Sequence, residues 1–126
     1  MIVVDTSALM AIVLGDADAD RCMAALEASE ALMISAATVA EALVVAGRRN
    51  VGPEVASLIE GLGFQIVPVT PSAARQVAQA YDQWGKGIHP AGLNFGDCFA
   101  YALARAQDCP LLFVGDDFSK TDLVAA

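Results

Sequence analysis

Asp5, Glu41, Asp97 and Asp116 each stand alone among apolar residues, a placement that points to cation binding. Asp5 is the only charged residue among the first fifteen. Glu41 is the only charge from Ala31 to Gly47, and Asp97 is the only formal charge from Gly87 to Ala104. Asp116, with Asp117 beside it, closes the run Leu111-Leu112-Phe113-Val114-Gly115. Carboxylates are seldom buried without a partner, because the water they lose is worth far more than an apolar neighbour returns. Two of them ~4 Å apart repel by ~4 kcal/mol at an effective dielectric of about 20, so a cluster needs a bound proton or a divalent cation. Oxygen-only ligands favour Mg²⁺ or Mn²⁺ over zinc. Such an ion lowers the pKa of a water and stabilises charge on a leaving oxygen, which suits phosphoryl chemistry.

Each acid also has a plain structural explanation. Asp5 could cap a helix, as could Thr6 or Ser7. Thr38-x-x-Glu41 matches a capping box, although Ser35 is the better-placed cap and would put Glu41 in the second turn. Asp97 suits the positive end of a helix, and Asp116-Asp117 could be turn residues. Four such coincidences, always acids and never amides, are together a weaker account than one shared site.

The elements that must position them read as alternating strands and helices. Ile2-Val4 is a short strand, followed by helix-start residues Asp5-Thr6-Ser7 and a helix from Ala8 to Leu14 that Gly15 ends. A helix over Ala17–Ala28 and a strand over Leu32–Ile34 come next. Ser35 caps a helix over Ala36–Arg49, stopped by Asn50 and Gly52-Pro53. Further helices are expected over Glu54–Leu62, Pro71–Trp84 and Phe95–Gln107, with strands over Phe64–Val69 and Leu111–Val114 and a short turn and strand at the end. Residues 85–92 form a loop on composition. This order implies a mostly parallel sheet covered on both faces, with ligands beyond the carboxyl ends of its strands. Asp5 and Asp116 follow strands, and Glu41 and Asp97 lie early in helices, so one sheet edge could gather all four.

Bulk properties narrow the class. The 126 residues suit one domain, residues 1–126, with no repeat or linker. A hydrophobic content of 56% against 17% charged residues favours a folded core over disorder. No window of ~18 residues reads as a membrane span and no cationic n-region precedes the N-terminal strand, so a cytoplasmic protein with no membrane association is expected. Cys22, Cys98 and Cys109 are odd in number and lack zinc or redox spacing, so they read as free thiols. His89, the only histidine, sits before Pro90 in the Gly-rich loop and reads as a surface residue; no hydrolase triad or phosphate-loop motif is present. The formal charge of −8, from 15 acids and 7 cations, argues against a general nucleic-acid binder. Only a local phosphate track from Arg48, Arg49, Lys86 and Arg105 remains available, with Lys86 the candidate contact.

Four segments resemble one family in order and spacing. They are Ile2-Val3-Val4-Asp5-Thr6-Ser7-Ala8-Leu9, Ser35-x-x-Thr38-x-x-Glu41, Asn94-Phe95-Gly96-Asp97-Cys98-Phe99-Ala100-Tyr101-Ala102 and Leu111-Leu112-Phe113-Val114-Gly115-Asp116-Asp117-Phe118. Over its whole length the chain is similar to PIN-domain ribonucleases, above all the stand-alone VapC toxins of type II toxin–antitoxin systems. The resemblance implies a three-layer α/β/α fold, Mg²⁺- or Mn²⁺-dependent hydrolysis of RNA to 5′-phosphate and 3′-hydroxyl ends, a homodimer, and neutralisation by a VapB-type antitoxin. Asp5, Glu41 and Asp97 match the family's metal-binding acids. Many relatives carry the fourth acid where Gly115 stands, so Asp116 or Asp117 takes that role, with Asp116 preferred as nearer the strand. Thr6 and Ser7 match the hydroxyl pair, one of which orients a carboxylate or a water at the ion. On this reading four of the 15 negative charges belong to the site itself.

Rival classes fit less well. A phosphoacceptor receiver wants its acidic pair after the first strand, whereas here the Asp pair is at 116–117. A haloacid-type phosphatase needs Asp-x-Asp after that strand, and residue 7 is serine. The remaining alternative is a PIN fold acting as an RNA- or protein-binding module without nuclease activity.

Overall fold

Alternation along three short strands divides the molecule into layers. The computed structural model describes residues 1–126. Its strands are β1 (Ile2–Val4), β2 (Leu32–Ser35), β3 (Gln65–Val67) and β4 (Leu111–Leu112), joined by α1 (Thr6–Leu14), α2 (Ala19–Ala28), α3 (Ala36–Arg48), α4 (Gly52–Leu62), α5 (Pro71–Trp84) and α6 (Phe95–Gln107). Successive strand side chains point to opposite faces. Ile2, Val4, Leu32, Ile34 and Leu112 therefore join one buried cluster with Leu9, Leu26, Ala42 and Val55 from α1 to α4. Val3, Met33 and Leu111 join the other, with Val77 and Ala80 of α5 and Ala100, Ala102 and Ala104 of α6. The result is the expected α/β/α sandwich around a parallel sheet.

Strand order is β3-β2-β1-β4, all parallel. The chain thus steps outward from β1 through β2 to β3, then returns to the far side of β1. The order reverses between β1 and β4, where a doubly wound sheet opens a crevice at its carboxyl edge. Asp5 and Asp116-Asp117 follow those two strands.

Several boundaries differ from the sequence reading for identifiable reasons. Helix α1 starts at Thr6 because Asp5 itself is the cap, its side chain accepting from Ser7 N. Helix α4 takes in Gly52 and Pro53, since proline lacks only a donor that the first turn leaves unused. Strand β4 stops at Leu112 because the amide of Val114 turns to the Ser7 hydroxyl, 3.0 Å away. Near the C-terminus a 3₁₀ turn (Phe118–Lys120) leads to a parallel bridge between Leu111 and Ala125.

The 85–92 loop is held more firmly than its composition suggests. Gly85 bridges Leu93, and the amides of Ile88 and His89 both donate to Gly85 O. His89 has a structural role: Nδ1 accepts from Ala91 N at 2.9 Å, and its ring meets Trp84 edge-on at 4.7 Å. Trp84 donates to the Tyr101 hydroxyl, which donates to Asp122 Oδ1, tying α5, α6 and the C-terminal segment together. All three cysteines are buried free thiols, and burial pushes the Cys98 thiol up to about 11. No helix is long and apolar enough to cross a membrane.

Candidate active site at the carboxyl edge

Asp5 is only 4% exposed, and its two oxygens have different fates. Oδ2 accepts from Ser7 N at 3.1 Å and from Ser7 Oγ at 2.7 Å. Ser7 Oγ accepts in turn from Val114 N, so one hydroxyl locks the end of β1 to the segment after β4. Oδ1 is buried with no hydrogen-bond partner at all. Burial pushes the Asp5 pKa above its usual range; the Ser7 hydrogen bonds oppose this and the Glu41 charge adds to it. A buried acceptor without a donor costs free energy, and for an ionised oxygen the cost is large.

Glu41 reaches the same place from α3. Ser35 is the cap of that helix, its side chain accepting from Ala37 N, so Glu41 lies in the second turn. Its Oε1 accepts from Thr6 Oγ1 at 2.6 Å, which settles that the side chain faces inward. Thr6 and Ser7 therefore divide their work: Ser7 orients Asp5, and Thr6 orients Glu41.

Asp97 arrives on α6 through a reciprocal capping box. Asp97 N donates to Asn94 Oδ1 at 2.8 Å, and Asp97 Oδ2 accepts from Asn94 N at 3.0 Å. Leu93 and Cys98, both fully buried, pack on either side of this cap as a hydrophobic staple. Desolvation pushes the Asp97 carboxyl up to about 6; the Asn94 bond pulls it down, while the charges of Asp5, Glu41 and Asp117 push it further up.

That last set bears on the fourth acid. The Asp117 charge helps to push the Asp97 carboxyl up. Both Asp116 and Asp117 are exposed. Of the pair that follows β4, Asp117 is thus the one whose charge is felt at the Asp97 carboxyl.

No protein cation neutralises these acids. The two ion pairs of the chain, Arg21–Asp18 and Arg105–Asp122, lie outside the group. Arg105 is in the last turn of α6, at the opposite end of the helix from Asp97. Arg21, which no sequence pattern singles out, donates through Nη2 to Phe113 O at 3.2 Å and so reaches the β4 side of the edge.

Comparison with known proteins identifies the family. Residues 2–124 match the PIN domain family. The chain is 44% identical over 126 residues to the VapC ribonuclease Mb2780c of Mycobacterium bovis, covering 96% of this chain and 95% of that one. It is 42% identical over 124 residues to Ribonuclease VapC30 of Mycobacterium tuberculosis, with the same coverage of each chain. It belongs to the PIN-domain family, in its VapC branch. The fold of M. tuberculosis VapC20, a toxin that cleaves the sarcin-ricin loop, superposes with a TM-score of 0.82 at 20% identity, covering 100% of this chain and 98% of that one. A toxin–antitoxin complex from Klebsiella pneumoniae gives 0.75 at 20% identity, covering 100% and 97%.

In this PIN domain the donor set fits a hard divalent cation. Every candidate ligand is a carboxylate oxygen, Asp5 Oδ1 lacks a partner, and Asp97 presents a second unneutralised carboxylate. No three acidic, histidine or cysteine side chains converge closely enough to hold an ion by themselves. Mg²⁺ does not require that, since one or two carboxylates and several waters commonly complete its shell.

Gly96 is a site residue that the sequence reading passed over. A Cβ built there would overlap Glu41 Oε2 and crowd its carboxyl carbon at 2.7 Å. The α6 backbone passes directly beneath the Glu41 carboxylate, and the positive end of that helix favours its charge. A glycine directly before an isolated acid was the available signal. Gly96→Ala should retain folding, because alanine is the better helix former by about 0.8–1.0 kcal/mol. It should also push Glu41 off Thr6 and lower RNA cleavage roughly 10- to 100-fold, the range for residues that orient metal ligands. Steady-state cleavage beside a melting curve separates the two effects; unchanged activity would show that the position of Glu41 is immaterial.

Proposed function

We propose that this PIN domain is an endoribonuclease toxin of a type II toxin–antitoxin system, dependent on Mg²⁺ or Mn²⁺ and neutralised by a VapB-type antitoxin. The partnerless, buried Oδ1 of Asp5, among acids that no protein cation pairs, is the observation that carries this reading. The ribonuclease names of relatives at 42–44% identity support the RNA substrate. Occurrence of the fold in a toxin–antitoxin complex supports the antitoxin.

Asp5 and Asp97 would hold the ion, with Glu41 and the Asp116-Asp117 pair acting through water or at a second ion. When bound, the ion supplies an activated water and neutralises charge at the reacting phosphate. The remaining work falls to the chain. Ser7 fixes the Asp5 rotamer by two hydrogen bonds, so that Oδ1 alone is left for ligation. Thr6 holds Glu41 where its carboxylate can accept a proton from a water on that side. Asn94 holds Asp97 Oδ2 and leaves Oδ1 free. In-line attack then expels the 3′-oxygen and leaves a 5′-phosphate.

The purified protein should cut RNA with Mn²⁺ or Mg²⁺ and stop on chelation, and sequencing of cleaved ends from total RNA should give one recurring context with 5′-phosphates. The product of a neighbouring gene for a small DNA-binding protein should suppress the cleavage. RNA left intact with either metal, at protein concentrations that bind RNA, would replace this reading by that of a binding module.

A further inference from the structure

Phe95 is the only exposed aromatic side chain of the molecule, with 68% of its surface open to solvent. Leaving a phenylalanine in water forgoes the gain of burying it, so its placement calls for an explanation. Starting the helix is not one. Asn94 and Asp97 form the capping box, and Leu93 with Cys98 supplies the apolar staple, leaving position 95 without a structural task.

Its neighbourhood suggests the task. Phe95 meets Phe99 in a T-shaped contact, centroids 4.9 Å apart, which props the ring outward from α6. Phe99 also lines an apolar cleft with Ser35, the last residue of β2, and Phe95 stands one turn earlier, in the same first turn of α6 as Asp97. Phe95 and Asp97 are two residues apart and leave the first turn on different sides. A nucleotide needs such a separation, with the phosphate at the acids and the base across the end of the helix. Charge strengthens the case. With 15 acids against 7 cations, the protein has little to offer a phosphate backbone beyond the metal site. Single-stranded RNA is commonly held by stacking of its unpaired bases on aromatic rings, which does not depend on charge.

We propose that Phe95 is the platform on which a base adjoining the scissile phosphate stacks, and that it thereby sets affinity for single-stranded RNA. This rests on the ribonuclease reading. The test compares kcat and KM of the unaltered protein, Phe95→Ala, Phe95→Leu and Phe95→Trp on one short oligoribonucleotide, and on the same oligonucleotide carrying an abasic residue on either side of the cut.

Phe95→Ala and Phe95→Leu should raise KM roughly ten- to hundredfold, the range found for loss of a base-stacking ring. Their kcat should stay within about threefold, and Phe95→Trp should restore KM. One of the two abasic substrates should lose the same factor with the unaltered protein and nothing further with Phe95→Ala. Rescue by leucine as good as by tryptophan, or additive losses, would overturn the stacking platform. So would an unchanged KM with weakened antitoxin binding or self-association, which would make Phe95 a protein contact. Cleavage indifferent to residue 95 overturns this inference alone; no cleavage by the unaltered protein overturns the ribonuclease reading with it.

Discussion

Asp97→Asn should abolish RNA cleavage and, in the same molecule, raise the melting temperature of the metal-free protein at pH 7. The loss follows from the proposed ligand role: a metal contributes several kcal/mol of charge stabilisation, so removing one of two direct ligands should cost at least about a thousandfold in rate. The stability gain follows from electrostatics. Asp97 is desolvated and faces Asp5, Glu41 and Asp117, which pushes its carboxyl from 3.8 up to about 6. The folded state therefore holds a proton that the unfolded chain releases near pH 4. Stability is greatest below the unfolded value, falls as pH rises through about 6, and the deficit persists at pH 7. Asparagine removes the charge, and its Oδ1 can still accept from Asn94 N, so the cap survives. Because Asp97 is only partly buried, screening reduces the gain, to roughly 2–5 °C. Melting from pH 4 to 8 without metal checks this: the unaltered protein should lose stability across the window, and the variant should lose less. Normal metal-dependent cleavage by Asp97→Asn would remove Asp97 from the site; Asp5→Ala should likewise abolish cleavage.

The sequence posed a choice for each acid between a structural role and a chemical one, and in two acids the structural role leaves room for the other. Asp5 caps α1 with Oδ2 and has Oδ1 left over. Asp97 closes a capping box through Oδ2 and carries its charge into the cluster. A carboxylate has two oxygens, so local pattern correctly predicted one role while isolation in apolar sequence predicted the other. The strand–helix order and the sheet were legible because burial on both faces leaves continuous apolar runs, such as Ile2-Val3-Val4 and Leu32-Met33-Ile34. Strand lengths were not, since β3 pairs only with β2 and ends before Pro68, and β4 yields the Val114 amide to Ser7. The long-range partners were invisible as well. Thr6 meets Glu41 across 35 positions, and Gly96 underlies Glu41 across a larger gap; neither contact leaves a periodic trace.

Mg²⁺ or Mn²⁺ should stabilise the unaltered protein strongly at pH 7.5 and weakly at pH 5. A ligand present at a hundred times its dissociation constant contributes about 2.7 kcal/mol, on the order of 10 °C for a domain of this size. Ligating carboxylates must be ionised, so protons compete with the metal wherever the acids titrate. Asp97 is pushed up to about 6, which places its part of that competition below pH 6, and burial raises the Asp5 pKa as well. One displaced proton weakens apparent affinity about tenfold per pH unit, and two weaken it about a hundredfold. At pH 5 the same metal concentration should therefore yield only a few degrees. The metal-free protein should show the opposite trend, losing stability as pH rises, because the same raised pKa values then favour the protonated fold. Differential scanning at several metal concentrations and pH values, at fixed ionic strength, resolves both slopes. Ions bound loosely to an acidic surface would give a shift that varies little over this window and persists in Asp97→Asn, and that outcome would remove the proposed metal site. Opposed slopes, both flattened by the one substitution, would tie the ion to Asp97 and its neighbours.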